Sequence, residues 1–121
     1  MKKILIVDDE PGIRKLVKAT LKSEDYQILQ AESGQMAVDI AREKNPDLIF
    51  MDIMMPGGID GFEATRILKN DPKTSGSTII ILSAKAQEED LVKSLQVGAD
   101  EYFTKPFSPL ALARKVEEVL G

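Results

Sequence analysis

Short apolar runs alternate with helical patterns along the whole chain, and this alternation restricts the fold more than any other feature. The runs occupy residues 4–7, 27–31, 48–51, 78–82 and 101–103 and are rich in Ile, Leu and Val. Three of them show little alternation with polar residues, which is typical of strands covered on both faces in a parallel sheet. The second and fifth runs are weaker, so we expect them near the sheet edges.

Apolar residues at helical spacing fill the segment after each run. The five stripes are Ile13, Leu16, Val17, Thr20 and Leu21; Ala37, Ile40 and Ala41; Ala64, Ile67 and Leu68; Leu91, Val92 and Leu95; and Leu112, Ala113, Val116 and Leu120. Pro11, and Ser108 followed by Pro109, are typical of helix starts. Because strand–helix alternation implies parallel strands with right-handed crossovers, the pattern predicts an α/β fold of five βα units in one domain, residues 1–121. The polar segment 70–77 predicts an exposed turn.

The composition excludes several kinds of site. The 121 residues include no His and no Cys, which excludes a catalytic thiol, a His-assisted nucleophile, a Cys/His zinc site and any disulfide. A metal ion would need oxygen ligands, and a general base would be a carboxylate or a Lys. The net charge of −4 argues against direct nucleic-acid binding. No apolar stretch approaches the ~20 residues of a membrane span, so we expect a cytoplasmic protein without a membrane partner.

Polar residues with ligand or reactive chemistry follow four of the runs. They are Asp8, Asp9 and Glu10 after the first run, Asp52 after the third, Ser83 after the fourth, and Thr104 and Lys105 after the fifth. Since the carboxyl ends of parallel strands meet at one edge of a sheet, we expect these side chains to converge there. Clustered carboxylates repel one another unless a cation shares the site, and an aspartate can take up a phosphoryl group as an acyl phosphate. Each residue alone is also explained as a helix cap or turn residue, but together they predict a Mg²⁺-dependent phosphoryl-transfer site.

Five segments carry a resemblance to a known family. They are residues 7–10 (VDDE), 52–56 (DIMMP), 60–61 (DG), 83–84 (SA) and 102–107 (YFTKPF). With these segments in this order, the chain from Lys3 to Leu120 resembles the receiver domain of two-component response regulators. The resemblance implies a flavodoxin-like, doubly wound sheet with the strand order 2-1-3-4-5.

The resemblance assigns the role of phosphoacceptor to Asp52. A site for Mg²⁺ or Mn²⁺ would be formed by Asp52, Asp8 and Asp9 together with the backbone carbonyl of Met54. Lys105 would contact the arriving phosphoryl group. The donor in this family is a phosphohistidine, and because the chain has no His, the donor would lie on a sensor histidine kinase or a histidine phosphotransfer domain.

The resemblance also implies a conformational switch. The hydroxyl of Ser83 would turn toward the phosphoryl group, and the ring of Tyr102 would turn inward. The face made by the fourth helix, fifth strand and fifth helix would then contact partners or form a homodimer. Charged residues expected on that face are Lys93, Asp100, Glu101, Arg114 and Lys115. The Lys105–Pro106 peptide bond would be cis.

Two features depart from the family pattern or vary within it. The segment 57–59 (Gly-Gly-Ile) makes the loop after the acceptor one residue longer than usual, which leaves open where the third helix starts relative to the metal site. Met54 and Lys85 stand two residues after the acceptor and two after the switch hydroxyl, where side chains influence how water reaches the acyl phosphate. Since Met54 offers no group that positions water, we expect a long-lived phosphorylated form.

Three other functions fit parts of the pattern. A flavin-binding electron carrier has this architecture, but the acids at residues 8–10 would repel a phosphate where that class needs a glycine- and hydroxyl-rich loop. A phosphatase with an aspartate nucleophile would separate its two acids by one residue, whereas Asp8 and Asp9 are adjacent. The third alternative is a receiver that is never phosphorylated and acts as a binding scaffold, and the complete set of polar residues argues against it.

Overall fold

Strands and helices alternate through the part of the chain that the computed structural model describes, residues 1–22, 25–55, 57–84 and 88–121. The strands are β1 (Lys2–Val7), β2 (Tyr26–Ala31), β3 (Leu48–Asp52), β4 (Thr78–Ser83) and β5 (Glu101–Thr104). The helices are α1 (Pro11–Thr20), α2 (Gly34–Lys44), α3 (Gly61–Lys69), α4 (Glu88–Gln96) and α5 (Pro109–Leu120). All strand pairs are parallel, and the order β2-β1-β3-β4-β5 confirms the doubly wound, flavodoxin-like fold.

The central strands β1, β3 and β4 are buried on both faces, which explains their unbroken apolar runs. Successive side chains point to opposite faces of the sheet. Leu5 and Ile49 therefore pack into the layer shared with α2 and α3. Ile4 and Leu48 pack into the opposite layer, with α1 and α5. The outer strands β2 and β5 are mostly half-buried, as predicted for the sheet edges.

The apolar stripe of α4 does not face the core, contrary to the prediction. Leu91, Val92 and Leu95 are 44%, 46% and 65% exposed. The buried residue of this helix is Ser94, whose hydroxyl donates to the carbonyl of Asp90. Because α4 packs beside β5, a short strand at the edge of the sheet, it has little apolar surface to cover.

The segment 70–77 is not simply an exposed turn. Thr74 and Ser77 are buried. The Thr74 hydroxyl donates to the carbonyl of Leu68 at 2.6 Å, and the Ser77 hydroxyl donates to the carbonyl of Pro46 at 2.5 Å. Side-chain hydrogen bonds thus tie this polar connection to α3 and to the start of β3.

The starts of α1 and α5 agree with the sequence signals, and α2 has a serine cap of the same kind as α5. The Ser33 and Ser108 hydroxyls accept from the backbone N–H groups of Met36 and Ala111, so they are N-caps of α2 and α5. Pro11 occupies the first turn of α1. No helix among the described residues has the length and apolar character needed to cross a membrane.

Candidate functional site

The strand-end residues meet in one cleft at the carboxyl edge of the sheet. The cleft has a volume of about 400 Å³ and is lined by Asp9, Glu10, Asp52, Ile53, Met54, Ser83, Ala84, Asp90 and Lys105. It lies where β1 and β3 end, which is the point at which the strand order reverses. Ligands of open α/β sheets bind at this position.

Asp8 is fully buried, and both of its carboxylate oxygens are hydrogen-bonded within the protein. Oδ1 accepts from the backbone N–H of Glu10 at 3.0 Å, and Oδ2 accepts from Nζ of Lys105 at 3.0 Å. Its backbone N–H donates to the carbonyl of Ala31, and its carbonyl accepts from Nη1 of Arg14 at 2.7 Å. The turn after β1 is therefore bonded to β2, to α1 and to Lys105.

Asp52 is the last residue of β3 and shares the Lys105 ammonium with Asp8. Nζ of Lys105 lies 3.0 Å from Oδ1 of Asp52 and 3.0 Å from Oδ2 of Asp8. Asp9 completes a cluster in which the three carboxylates, Asp8, Asp9 and Asp52, have oxygens within 4.8 Å of one another. Among the described residues, one ammonium is bonded to carboxylates of this cluster of three, so these groups together carry an excess of negative charge.

The environment favours the protonated form of Asp52. The pKa of this carboxyl is raised from its usual 3.8 to about 6, because burial and then the charge of Asp8 raise it by more than Lys105 lowers it. Burial would lower the pKa of the Lys105 ammonium, but its hydrogen bonds to Asp8 and Asp52 outweigh burial and the pKa is raised. Carboxylate oxygens in excess of local positive charge fit a hard divalent cation such as Mg²⁺.

The longer loop after β3 leaves the start of α3 against the acceptor strand. The N–H of Gly61 donates to the carbonyl of Ile53 at 2.9 Å. A Cβ built on Gly61 would lie 2.0 Å from the carbonyl oxygen of Asp52, so the two backbones are in direct contact. Gly57 and Gly58 both adopt φ of +74°, which glycine accepts at little cost. The extra residue is therefore absorbed within the loop.

The other predicted site residues lie around the cleft. Ser83, the last residue of β4, is buried and lines it. Tyr102 is half-buried and packs against the layer that contains α2 and α3. Met54 stands at the rim and is 78% exposed. The Lys105–Pro106 peptide bond is cis. Pro56 of the acceptor segment and Lys85 lie outside the described residues.

Two residues at the site were missed in the sequence. Arg14 bonds the turn that carries the adjacent acids, and Asp90 of α4 reaches the cleft. The charge of Arg14 on an otherwise amphipathic helix is ordinary, and nothing in its spacing indicates that the side chain reaches back to residue 8. Only the packing of α1 on the sheet reveals the contact.

The doubly wound sheet and the cleft at its reversal point define an α/β domain with three clustered carboxylates at the carboxyl ends of its strands. Over residues 4–117, the chain matches the family described as the response regulator receiver domain. The chain belongs to this family and is a signalling domain of two-component, phosphorelay systems.

Proteins of different lengths are similar to this chain in sequence. The phosphate regulon transcriptional regulatory protein PhoB of Pseudomonas aeruginosa is 44% identical over 119 residues, which are 98% of this chain and 52% of PhoB. The protein PilH of the same organism is 42% identical over 121 residues, 100% of this chain and 99% of PilH. The chain thus spans about half the length of the one relative and nearly all of the other.

One of the solved structures similar to this chain contains a metal ion. The receiver domain of the sensor histidine kinase PA1611 from Pseudomonas aeruginosa PAO1 was solved with a magnesium ion coordinated in its active site cleft. It is similar to this chain with a TM-score of 0.89 and 32% identity, over 99% of this chain and 98% of that one.

Proposed function

We propose that the chain, as one receiver domain over residues 1–121, accepts a phosphoryl group on Asp52 from a phosphohistidine of a sensor histidine kinase or a histidine phosphotransfer domain. The observation that carries the proposal is the ammonium of Lys105, placed 3.0 Å from both Asp8 and Asp52 in a cluster of three carboxylates. A cationic group already bonded to the acceptor is suited to a transferring phosphoryl group, whose charge must be balanced.

The transfer forms a bond between a carboxylate oxygen of Asp52 and phosphorus while the bond from phosphorus to the donor imidazole nitrogen breaks. The electron pair of that bond stays with the imidazole nitrogen, which takes up a proton from solvent. Asp8 and Asp9, with Asp52 and the backbone carbonyl of Met54, would hold Mg²⁺ or Mn²⁺. The cation would neutralise charge on the phosphoryl oxygens. Lys105 would move its hydrogen bond from the carboxylate to a phosphoryl oxygen.

The phosphoryl group would bias a switch on the other side of the cleft. Ser83 lines the cleft, and its hydroxyl would turn to donate to a phosphoryl oxygen. Tyr102 is one residue beyond Glu101 on the neighbouring strand β5, with its ring half-buried. Inward rotation of that ring would alter the surface made by α4, β5 and α5.

Exposed apolar residues on α4 support a homodimer through this surface in the phosphorylated protein. Leu91, Val92 and Leu95 leave an apolar patch on α4. Light scattering of the phosphorylated chain is expected to show dimers that Leu95→Lys abolishes. A phosphorylated protein that stays monomeric at high concentration would contradict the dimer but not the phosphorylation. Two charges expected on this surface are already paired with each other, since Lys115 bonds Glu101 at 2.7 Å.

The exposed thioether of Met54 at the rim of the cleft supports slow hydrolysis of the acyl phosphate. It offers no hydrogen-bond donor and only a weak acceptor, so it cannot place a water molecule for attack. We expect the phosphorylated form of the isolated chain to last for minutes or longer. Loss of the phosphoryl group within seconds would contradict this.

The proposal is tested by intact-mass measurement after incubation with acetyl phosphate and Mg²⁺. We expect addition of one phosphoryl group, lost in Asp52→Asn and retained in Asp39→Asn, which changes an exposed carboxylate on α2. No addition to the wild-type chain, or addition that survives Asp52→Asn, would contradict the proposal. The first of these results would favour the unphosphorylated scaffold, and a coloured purified protein would favour a flavin carrier.

A further inference from the structure

We propose that Arg14 is a positioning residue that holds the turn bearing Asp8 and Asp9 in the geometry needed to bind Mg²⁺. The inference rests on the proposed function, because it concerns the cation that the phosphoryl transfer requires. It goes beyond that function because it assigns a role to a side chain on α1, which bonds the backbone of the turn and not the carboxylates themselves.

Arg14 bonds the turn after β1 at both of its ends. Its guanidinium donates to the carbonyl of Asp8 at 2.7 Å, and its backbone N–H donates to the carbonyl of Glu10 at 3.3 Å. Its Nε donates to Oε1 of Gln30 on β2 at 3.2 Å. Gln30 lies opposite Ile6 in the pairing of β1 with β2, so the guanidinium is anchored to the sheet two residues before the acids begin.

Charge repulsion among the three carboxylates makes the turn after β1 dependent on hydrogen bonds that hold it closed. Asp8, Asp9 and Asp52 repel one another in the absence of a cation, which tends to open the turn. The start of α1 supplies little resistance, because the N-cap residue Glu10 makes no side-chain capping hydrogen bond and Pro11 has no N–H to donate. The Arg14 bond to the Asp8 carbonyl closes the turn from the helix side.

The position of the turn after β1 depends on the shape of the Arg14 guanidinium as well as on its charge. Nε and Nη1 point at two acceptors in a fixed fork, on Gln30 and Asp8 respectively. A lysine at this position would keep the positive charge but could not span both acceptors in one rigid orientation. Arg14→Lys therefore separates the positioning of the turn from the electrostatic effect of the charge.

The test measures Mg²⁺ affinity directly, by titrating the unphosphorylated chain and following its backbone amide NMR shifts. We expect Arg14→Lys to raise the Kd for Mg²⁺ by about tenfold, the lower end of the effect seen when outer-shell partners of metal ligands are changed. The matched control is Arg42→Lys, the same replacement in a helix where the guanidinium pairs with Asp71, away from the cleft. Its Kd should equal that of the wild type.

A second readout follows phosphorylation by acetyl phosphate as a function of Mg²⁺ concentration. In Arg14→Lys the concentration for half-maximal rate should rise by the same factor, while the rate at saturating Mg²⁺ stays within about twofold of wild type. Gln30→Ala should raise the Kd less. Combined with Arg14→Lys, it should add less than its own effect, since both changes break one bonded unit.

Several results would overturn the inference. An unchanged Kd in Arg14→Lys does so, including the case in which the melting temperature in EDTA falls, because Arg14 would then only stabilise the fold. A lower saturating rate with no shift in the Mg²⁺ requirement also does so. These outcomes leave the proposed function intact if the wild type binds Mg²⁺ and is phosphorylated on Asp52. A wild-type chain that binds no Mg²⁺ would overturn both.

Discussion

Asp52 illustrates how burial of one ionisable side chain can lower the stability of the fold. It ends a fully buried strand beside a second buried carboxylate, and its pKa is raised to about 6. The folded chain therefore holds an anion at neutral pH in surroundings that favour the neutral acid. Lys105 offsets part of this cost, and a bound cation would offset more.

Asp52→Asn is expected to stabilise the chain in EDTA at pH 8 and to have roughly half that effect at pH 5, which lies within the titration window. Because the folded-state pKa of about 6 lies above the usual 3.8, the folded state binds more protons than the unfolded state between these pH values. The free energy of unfolding therefore falls as pH rises through this window. Asparagine mimics the neutral acid, so urea unfolding should show a gain on the order of 2 kcal/mol at pH 8. The exposed control Asp39→Asn should show no such difference, and an equal gain at both pH values would contradict the explanation.

At Gly61 the neighbouring backbone leaves no room for even a single methyl group. Its added Cβ would lie 2.0 Å from the carbonyl oxygen of Asp52, a backbone atom that cannot rotate away. We expect Gly61→Ala to lower the free energy of unfolding by roughly 2–3 kcal/mol and to slow phosphorylation, because α3 must move off the end of β3. Gly12→Ala in α1 is the matched control, since nothing lies within 4 Å of its added Cβ. Helix propensity should make that variant as stable as wild type or more so. If Gly61→Ala unfolds at the same urea concentration as the wild type, the close contact with Asp52 does not contribute to stability.

At the scale of the helices, α4 shows why helical periodicity predicts the element better than its burial. Leu91, Val92 and Leu95 have the spacing of a buried stripe but stand on an exposed surface. Periodicity reports which residues share a side of the helix. It does not report whether a sheet or solvent faces that side, which here depends on the shortness of β5.

The connection between α3 and β4 is expected to contribute to stability through its buried hydroxyls. Ser77→Ala removes the donor to the buried carbonyl of Pro46. The unpaired carbonyl should lower the free energy of unfolding by about 1–2 kcal/mol in urea titrations. Ser75→Ala, at an exposed position in the same segment, should change it by less than about 0.5 kcal/mol. Equal effects of the two substitutions would indicate that the Ser77 hydrogen bond contributes nothing.

For the whole molecule, cation binding and folding should be linked through pH. Mg²⁺ that binds only the folded chain stabilises it by about 2.7 kcal/mol at a concentration of 100 times its Kd. Below pH 6 the protonation of Asp52 competes with the cation, so the rise in melting temperature on adding a fixed Mg²⁺ concentration should be larger at pH 7.5 than at pH 5. In Asp52→Asn this difference should shrink. A Mg²⁺ effect that is independent of pH in the wild type would contradict the assignment of the site.

The architecture and the convergence of the site residues were predictable from the sequence. Unbroken apolar runs indicate strands buried on both faces, and their alternation with helices requires a parallel sheet with its strand ends at one edge. That reasoning is enough to place Asp8, Asp52, Ser83 and Lys105 at a common cleft, where the structure has them. The strand order required the resemblance to a family, because periodicity carries no information about which strands are neighbours.

Only the tertiary structure decided how the site is supported. Three such features are the hydrogen bond from Arg14 to the Asp8 carbonyl, the contact of Gly61 with Asp52 and the exposure of Leu95. The sequence around each of these residues gives no sign of them. Hydrophobic patterning is a property of one segment and is visible in its own residues. A hydrogen bond, a close backbone contact or an uncovered face is a property of two segments, and it exists only after the sheet and helices have packed.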